Sequence, residues 1–268
     1  MKMVTFSELI QDHSWVGLGI AGNQAGHLTQ AGEDSDFKEV IAAENAPKGM
    51  FPWYIPNHES FLGTNPISHS NLRLDQKERL QPEPEVALIV EFNYSEETDT
   101  LLEGMKVLGF TAFNDCSNRI AADKISHKKN WGAASQGIAE EIILVNDFEQ
   151  EDGAINDYRL VCHLERNGEK HLYGLDTPVK EYCYFNQQLL DWMTNQINQQ
   201  TDFGPLENLT ELLAPTQPRY GVIGIGATCY SDLGNSEARF LKEGDLISVE
   251  VYHEASPDQR VALQQVVG

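Results

Sequence analysis

The segment Gln81-Pro82-Glu83-Pro84-Glu85-Val86-Ala87-Leu88-Ile89-Val90 sets two carboxylates at the mouth of an apolar run. A proline holds the residue before it in extended geometry, so Pro84 keeps Glu83 extended. In extended chain, residues two apart project from one face, and Glu83 and Glu85 therefore point together. Such a pair repels unless a cation or a proton lies between the two groups. Taken alone, it more often reads as a solvated acidic strand end. A third carboxylate follows another apolar run, in Phe113-Asn114-Asp115-Cys116-Ser117-Asn118-Arg119. An Asp at a strand end is well placed to bind, although an Asn-Asp pair is also an ordinary turn. Glu83, Glu85 and Asp115 with added water would suit a hard cation, Mg²⁺ first, with Mn²⁺ or Ca²⁺ as alternatives.

The elements that must carry these groups are mostly strands. Residues 86–90, 107–113 and 142–145 are short continuous apolar runs, the pattern of strands buried on both faces. Leu160, Cys162 and Leu164 alternate with less apolar positions before an Asn167-Gly168 hairpin turn. Residues 221–226 read as a glycine-weakened strand, and residues 246–252 alternate through Ile247, Val249 and Val251. Phe185, Leu189, Trp192, Met193 and Ile197 define one face of a helix within residues 180–200. A shorter helix is expected over residues 206–213 and another over residues 6–12. Residues 31–81 look loop-rich, with exposed aromatics at Trp53 and Tyr54, as in a lid or an irregular arm. Strands without regular βαβ alternation give a strand-rich α+β class.

Composition narrows the partners. A formal charge of -22 over 268 residues repels phosphate backbones and anionic membrane surfaces, which argues against nucleic acid and membrane partners. The opening residues carry no apolar run of signal-peptide type, and no stretch reaches the ~18 apolar residues of a span, so a cytoplasmic location is expected. Cys116, Cys162, Cys183 and Cys229 are far apart with no CxxC pair, so free thiols are expected rather than a zinc site. Gly17-Leu18-Gly19-Ile20-Ala21-Gly22 matches G-x-G-x-x-G, the dinucleotide fingerprint of a dehydrogenase. That loop needs a strand before it and a helix after it, and here only Trp15-Val16 offers the start of a strand. A glycine-rich strand end or turn is the expectation.

The order E-x-E, strand, N-D-x-S-x-R resembles the fumarylacetoacetate hydrolase superfamily. So do Gly19-Ile20-Ala21-Gly22-Asn23-Gln24-Ala25-Gly26-His27, the Asn167-Gly168-Glu169 hairpin, and the closing Leu241-Lys242-Glu243-Gly244-Asp245-Leu246-Ile247-Ser248-Val249-Glu250. These motifs span nearly the whole chain in the family's order. The resemblance implies one domain over residues 1–268 with a mixed β roll: residues 1–80 as an N-terminal arm or lid and residues 81–268 as a β-rich metal-binding core. It implies a homodimer and an Mg²⁺ ion on Glu83, Glu85 and Asp115 that chelates a 2-oxo or diketo acid. It also implies His27 as general acid/base, with Asn23, Arg119 and Thr228 as substrate contacts.

The sequence departs from the family pattern in its proton-transfer and cationic groups. Gln30 stands where the family has a Glu three residues after the histidine, with Glu33 nearby at a different spacing. Phe51-Pro52-Trp53-Tyr54-Ile55-Pro56 lacks the lysine of F-x-K-P. Trp131-Gly132-Ala133-Ala134-Ser135-Gln136-Gly137-Ile138-Ala139 lacks both the lysine and the aspartate of the catalytic-lysine segment. Lys128 and Lys129 are the nearby substitutes. The expectation is a metal-dependent hydrolase, isomerase or decarboxylase in a pocket depleted of cations. The alternative is a non-catalytic metal or small-ligand binder of the same fold.

Overall fold

The computed structural model describes residues 2–10, 14–33, 35–74, 79–98, 101–120 and 122–268. Among them the main sheet has nine strands. Its central path runs Met3–Thr5, Glu141–Leu144, Leu102–Asn114, Pro84–Tyr94, Tyr220–Gly224, Trp15–Ala21, Gly49–Tyr54. A five-stranded sheet runs Glu169–Pro178, Tyr158–Arg166, Leu246–His253, Ser256–Val267, Asn71–Leu72. The fold is strand-rich α+β, as the residue pattern predicts.

The two longest strands of the main sheet fix the site. Pro84–Tyr94 pairs antiparallel with Leu102–Asn114, with Pro84 opposite Asn114 and Glu85 opposite Phe113. Proline at the first strand position costs no ladder bond, because its missing N–H lies outside the ladder. Within Pro84–Tyr94, Val86, Leu88, Val90 and Phe92 enter the larger hydrophobic core, while Ala87 and Ile89 enter the smaller one. This is the period of two that makes the run apolar on both faces. Glu83 and Glu85 continue the row of Ala87 and Ile89, on the face shared with Phe51, Trp53 and Phe113.

Several sequence expectations need correction. Trp53 is fully buried, not exposed: it stacks on Phe113 with ring centroids 5.5 Å apart, and its indole N–H donates to the Leu18 carbonyl at 2.8 Å. It belongs to the strand Gly49–Tyr54, inside the segment read as loop-rich. Loop-like composition misleads there because Pro52 and Pro56 break the alternation, while the sheet supplies the burial. Residues 1–80 are thus partly woven into the main sheet. The G-x-G-x-x-G run is the buried strand Trp15–Ala21, ending at Gly22. A Cβ at Gly17 would lie 2.3 Å from the Trp53 ring, and one at Gly19 would lie 2.3 Å from the Phe51 ring. These glycines admit aromatic rings, not a pyrophosphate. The N-terminal helix is Phe6–Ile10, and residues 11–12 lie outside the described residues.

The Asn167-Gly168 turn forms as expected, with both residues at positive φ (55° and 79°). The expected helices are Asn186–Gln199 and Leu209–Leu213. No helix of the described residues is long and apolar enough to cross a membrane.

Candidate metal centre

The ladder brings Asp115 beside Glu83 although they are far apart in sequence: the Asp115 N–H donates to the Glu83 carbonyl at 2.9 Å. A buried amide chain stiffens this corner. The Glu83 N–H donates to Asn114 Oδ1 at 3.1 Å, Asn114 Nδ2 donates to Gln265 Oε1 at 2.9 Å, and Gln265 Nε2 donates to the Asn71 carbonyl at 2.9 Å. Glu83, Glu85 and Asp115 are all buried, and each offers an oxygen within 4.8 Å of the others. Glu85 Oε2 accepts the Gly226 N–H at 3.0 Å. Gly224 leaves room for that carboxylate, since a Cβ there would lie 2.4 Å from Glu85 Oε2.

Two cations, Lys129 and Arg119, face this cluster, and a third, Lys128, stands behind them. Lys129, on the short helix Ile125–Lys129, sets Nζ 2.6 Å from Glu83 Oε2 and 2.6 Å from Asp115 Oδ2. Its hydrogen bonds go to Glu83 Oε2 and, at 2.9 Å, to the Asp115 carbonyl. The Arg119 guanidinium donates to Glu83 Oε1, to Glu33 Oε1 at 2.7 Å, to Gln81 Oε1 at 2.9 Å and to the Tyr230 hydroxyl at 3.1 Å. Lys128 reaches Asp36 at 2.7 Å and Glu33 at 3.4 Å.

The electrostatics follow from burial and from these neighbours. Burial alone pushes the Glu83 carboxyl up, but Lys129, Arg119 and His27 together outweigh it and hold Glu83 well below the usual carboxylate range. Glu85 is raised well above that range by burial and then by the Asp115 charge. Burial raises Asp115 to about 6 against the pull of Lys129. Asp115 Oδ1 has no hydrogen-bond partner among the described residues, while Oδ2 is ion-paired with Lys129. Buried carboxylate oxygens normally have partners, so an open Oδ1 beside Glu83 and Glu85 leaves one donor position of the cluster unused. The donor set fits a hard divalent ion.

His27 lies above the cluster, first in the helix His27–Ala31, behind Gly26 at φ 82°. Its Nδ1 is 2.9 Å from the Thr228 carbonyl, an acceptor, so Nδ1 carries the proton and Nε2 is free. Nε2 stands 4.0 Å from Glu83 Oε1, and burial lowers the pKa of the imidazole.

Of the residues singled out from sequence, Asn23, His27, Glu33, Glu83, Glu85 and Asp115 line one cavity, together with Lys129. Its space for water is about 20 Å³, roughly one or two molecules. The Asn23 side chain is committed to backbone: Nδ2 donates to the Ile225 carbonyl at 2.9 Å and to the Tyr184 carbonyl at 3.1 Å, and Oδ1 accepts the Tyr184 N–H at 2.8 Å. Gln30 and Thr228 are not among the lining residues. Gln30 Oε1 accepts the Tyr230 N–H at 2.7 Å, and the Thr228 hydroxyl is buried against the Gly174 backbone. Arg119 reaches the site through Glu83.

The pocket is not depleted of cations. Lys129 supplies an ammonium from a helix too short to show periodicity, which is why sequence could only name it as a neighbour. Tyr230 and Gln265 carried no sequence signal.

The fold and site together define a class, the fumarylacetoacetate hydrolase fold. Cg1458, solved with an inhibitor, superposes with a TM-score of 0.57 at 19% identity over 94% of this chain and 76% of its own. A protein from Oleispira antarctica, assigned as a fumarylacetoacetate isomerase/hydrolase, gives a TM-score of 0.55 at 16% identity over 95% and 94%. The 5-carboxymethyl-2-hydroxymuconate delta-isomerase from Mycobacterium smegmatis gives 0.53 at 15% identity over 94% and 78%. Within that fold the chain belongs to DUF5718, a family of unknown function whose model matches residues 33–266. No curated protein matches it by sequence.

Proposed function

We propose that this chain is a divalent-metal-dependent enzyme acting on a 2-oxo or diketo acid, by C–C bond cleavage or keto–enol chemistry. The observation that carries the reading is the buried cluster of Glu83, Glu85 and Asp115, in which Asp115 Oδ1 has no hydrogen-bond partner among the described residues. These three residues would hold the ion, Mg²⁺ first, with Mn²⁺ or Ca²⁺ as alternatives. When bound, it supplies Lewis acidity that stabilises an enolate.

The chain's own residues do the remainder. His27 is held in one tautomer by the Thr228 carbonyl, so its free Nε2 takes and returns the substrate proton. A lowered pKa keeps that nitrogen unprotonated near neutral pH. Glu33 closes the cavity wall through Arg119 and replaces the family's glutamate from a different spacing. Gln30, at the position of the family's glutamate, instead ties the His27 helix to the Tyr230 segment. Arg119 and Asn23 shape the pocket, and their polar atoms are already engaged by protein. We further propose one domain over residues 1–268, with residues 1–80 contributing the lid, and assembly as a homodimer.

The second reading, an ion or small-ligand binder without turnover, is favoured by the cavity itself. About 20 Å³ admits an ion and water but not a keto acid unless a wall moves.

Calorimetric titration with Mn²⁺, with and without oxalate, tests the metal centre. Glu85→Gln is the clean variant, because Glu85 makes one backbone hydrogen bond and anchors neither Lys129 nor Arg119. Loss of Mn²⁺ binding in a folded Glu85→Gln protein is expected, and unchanged affinity would sink the assignment. His27→Ala is expected to keep the ion and to lose about 10²–10⁴-fold in turnover of any keto acid found to react. Tighter Mn²⁺ binding with oxalate but no turnover across a keto-acid panel would favour the second reading.

A further inference from the structure

The Lys129 ammonium stands where the carboxylates converge. Its Nζ lies 2.6 Å from Glu83 Oε2 and 2.6 Å from Asp115 Oδ2, two of the groups that an ion held by this cluster must use. Arg119 reaches Glu83 on the other oxygen, Oε1, so it does not stand between the carboxylates.

Lys129 arrives there by construction. The Ile125 N–H donates to the Pro205 carbonyl at 3.1 Å, and Lys124 binds the Gly204 and Leu206 carbonyls at 3.0 and 2.6 Å. Asn130 donates to the carbonyls of Trp53 and Thr64 at 2.8 and 2.9 Å. These bonds pin both ends of the five-residue helix and aim its last side chain into the cluster. Without a cation there, Glu83, Glu85 and Asp115 would be buried together with little to offset their repulsion.

We propose that Lys129 is a resident cation that competes with the divalent ion for Glu83 and Asp115, neutralising the site in the ion-free chain and being displaced when an ion binds. This rests on the metal-dependent reading above. Two cations cannot share the same oxygens at such distances without strong repulsion, so occupancy by one excludes the other. The lysine that the family resemblance puts within residues 131–139 is absent, and Lys129 enters instead from the helix Ile125–Lys129, with the competing role as the consequence.

The test is Mn²⁺ titration calorimetry and thermal unfolding, with and without Mn²⁺, on the full wild-type chain, Lys129→Met and Lys129→Gln. The expected result is Mn²⁺ affinity at least about tenfold tighter in both variants, since a competing charge-assisted contact is gone. Both should also melt earlier than wild type without the ion and gain more from it. A variant recoverable only when Mn²⁺ is present supports the proposal equally. Unchanged or weaker affinity in variants of a chain that does bind Mn²⁺ overturns the competition and leaves the metal centre standing. No binding in any of the three proteins overturns both. Failure of both variants to fold even with Mn²⁺ shows that the ion cannot take the ammonium's place, and also overturns the proposal.

Discussion

The two walls of the cavity are built from different materials. The carboxylate wall stands on Pro84–Tyr94 and Leu102–Asn114, strands of 11 and 13 residues paired in the middle of the main sheet. The facing wall is a five-residue helix, His27–Ala31, with left-handed glycines at both ends, Gly26 at φ 82° and Gly32 at φ 75°. One wall is held by a backbone ladder and two cores. The other is held by a few ion pairs, Glu33 to Arg119, Glu33 to Lys128 and Asp36 to Lys128, and by the hydrogen bonds of His27 to the Thr228 carbonyl and of Gln30 to the Tyr230 N–H. Few buried apolar contacts and glycine ends put the second wall at the low end of local stability. A fixed face that holds charge, opposed by a face held mainly by polar contacts, is the arrangement that a site with so little free volume needs if it is to admit a substrate.

Glu83 joins the two walls, and removing it should have the largest effect. It is the shared partner of Lys129 and Arg119. Glu83→Ala leaves two buried cations short of a partner, and such a loss costs about 3–5 kcal/mol. The expected outcome is loss of Mn²⁺ affinity together with a fall in Tm of roughly ten degrees, at about 2–4 °C per kcal/mol for a chain near this size. A Glu83→Ala protein as stable as wild type would show that the walls are not coupled through this residue.

The same contrast explains what could be read from sequence. The carboxylate wall was legible because its signals are local: Pro84 forces extension, a spacing of two sets the shared face, and Asp115 ends an apolar run. The opposing wall was legible in part, through His27, Gln30 and Glu33, but the lysine that reaches the carboxylates from a third side was not. Lys129 acts through a helix of five residues, below the length at which periodicity appears, and its aim comes from anchors at Pro205, Trp53 and Thr64 that are distant in sequence. Trp53 looked exposed because its neighbours are prolines, and only the pairing of Gly49–Tyr54 with Trp15–Ala21 buries it. The polar start of the closing strand Ser256–Val267 hides it from the residue pattern, and with it Gln265, which braces the Glu83 corner through Asn114.

The His27–Ala31 wall can be loosened without touching the carboxylates. Glu33→Gln keeps the shape but removes the charge that faces Arg119 and Lys128, a loss of about 2 kcal/mol for a mostly buried, charge-assisted contact. The expected outcome is amide exchange in residues 27–40 faster by roughly ten- to thirtyfold, with exchange in Pro84–Tyr94 unchanged. Equal acceleration in both segments would mean that the walls open as one unit.

The smallest effect expected lies under the Lys129 helix and depends on pH. Ser126 donates to Glu207, whose other carboxylate oxygen has no hydrogen-bond partner among the described residues. Burial raises the Glu207 carboxyl to about 7, against the opposing hydrogen bond from Ser126 and the charge of Lys124. Its folded pKa is therefore above its ordinary value of 4.5. A group raised in the fold stabilises it fully below the ordinary value, and loses that contribution as pH climbs through the folded one. The window here runs from about 4.5 to about 7. Glu207→Gln carries no proton to lose, so it should match wild type near the acid end of that window. Above its upper end the variant should be the more stable by about 1–2 kcal/mol, read from denaturant midpoints on both sides of the window. A wild type at least as stable as the variant above the window would mean that Glu207 is held as a carboxylate by Lys124, and that the Lys129 helix rests on an ion pair rather than on a neutral hydrogen bond.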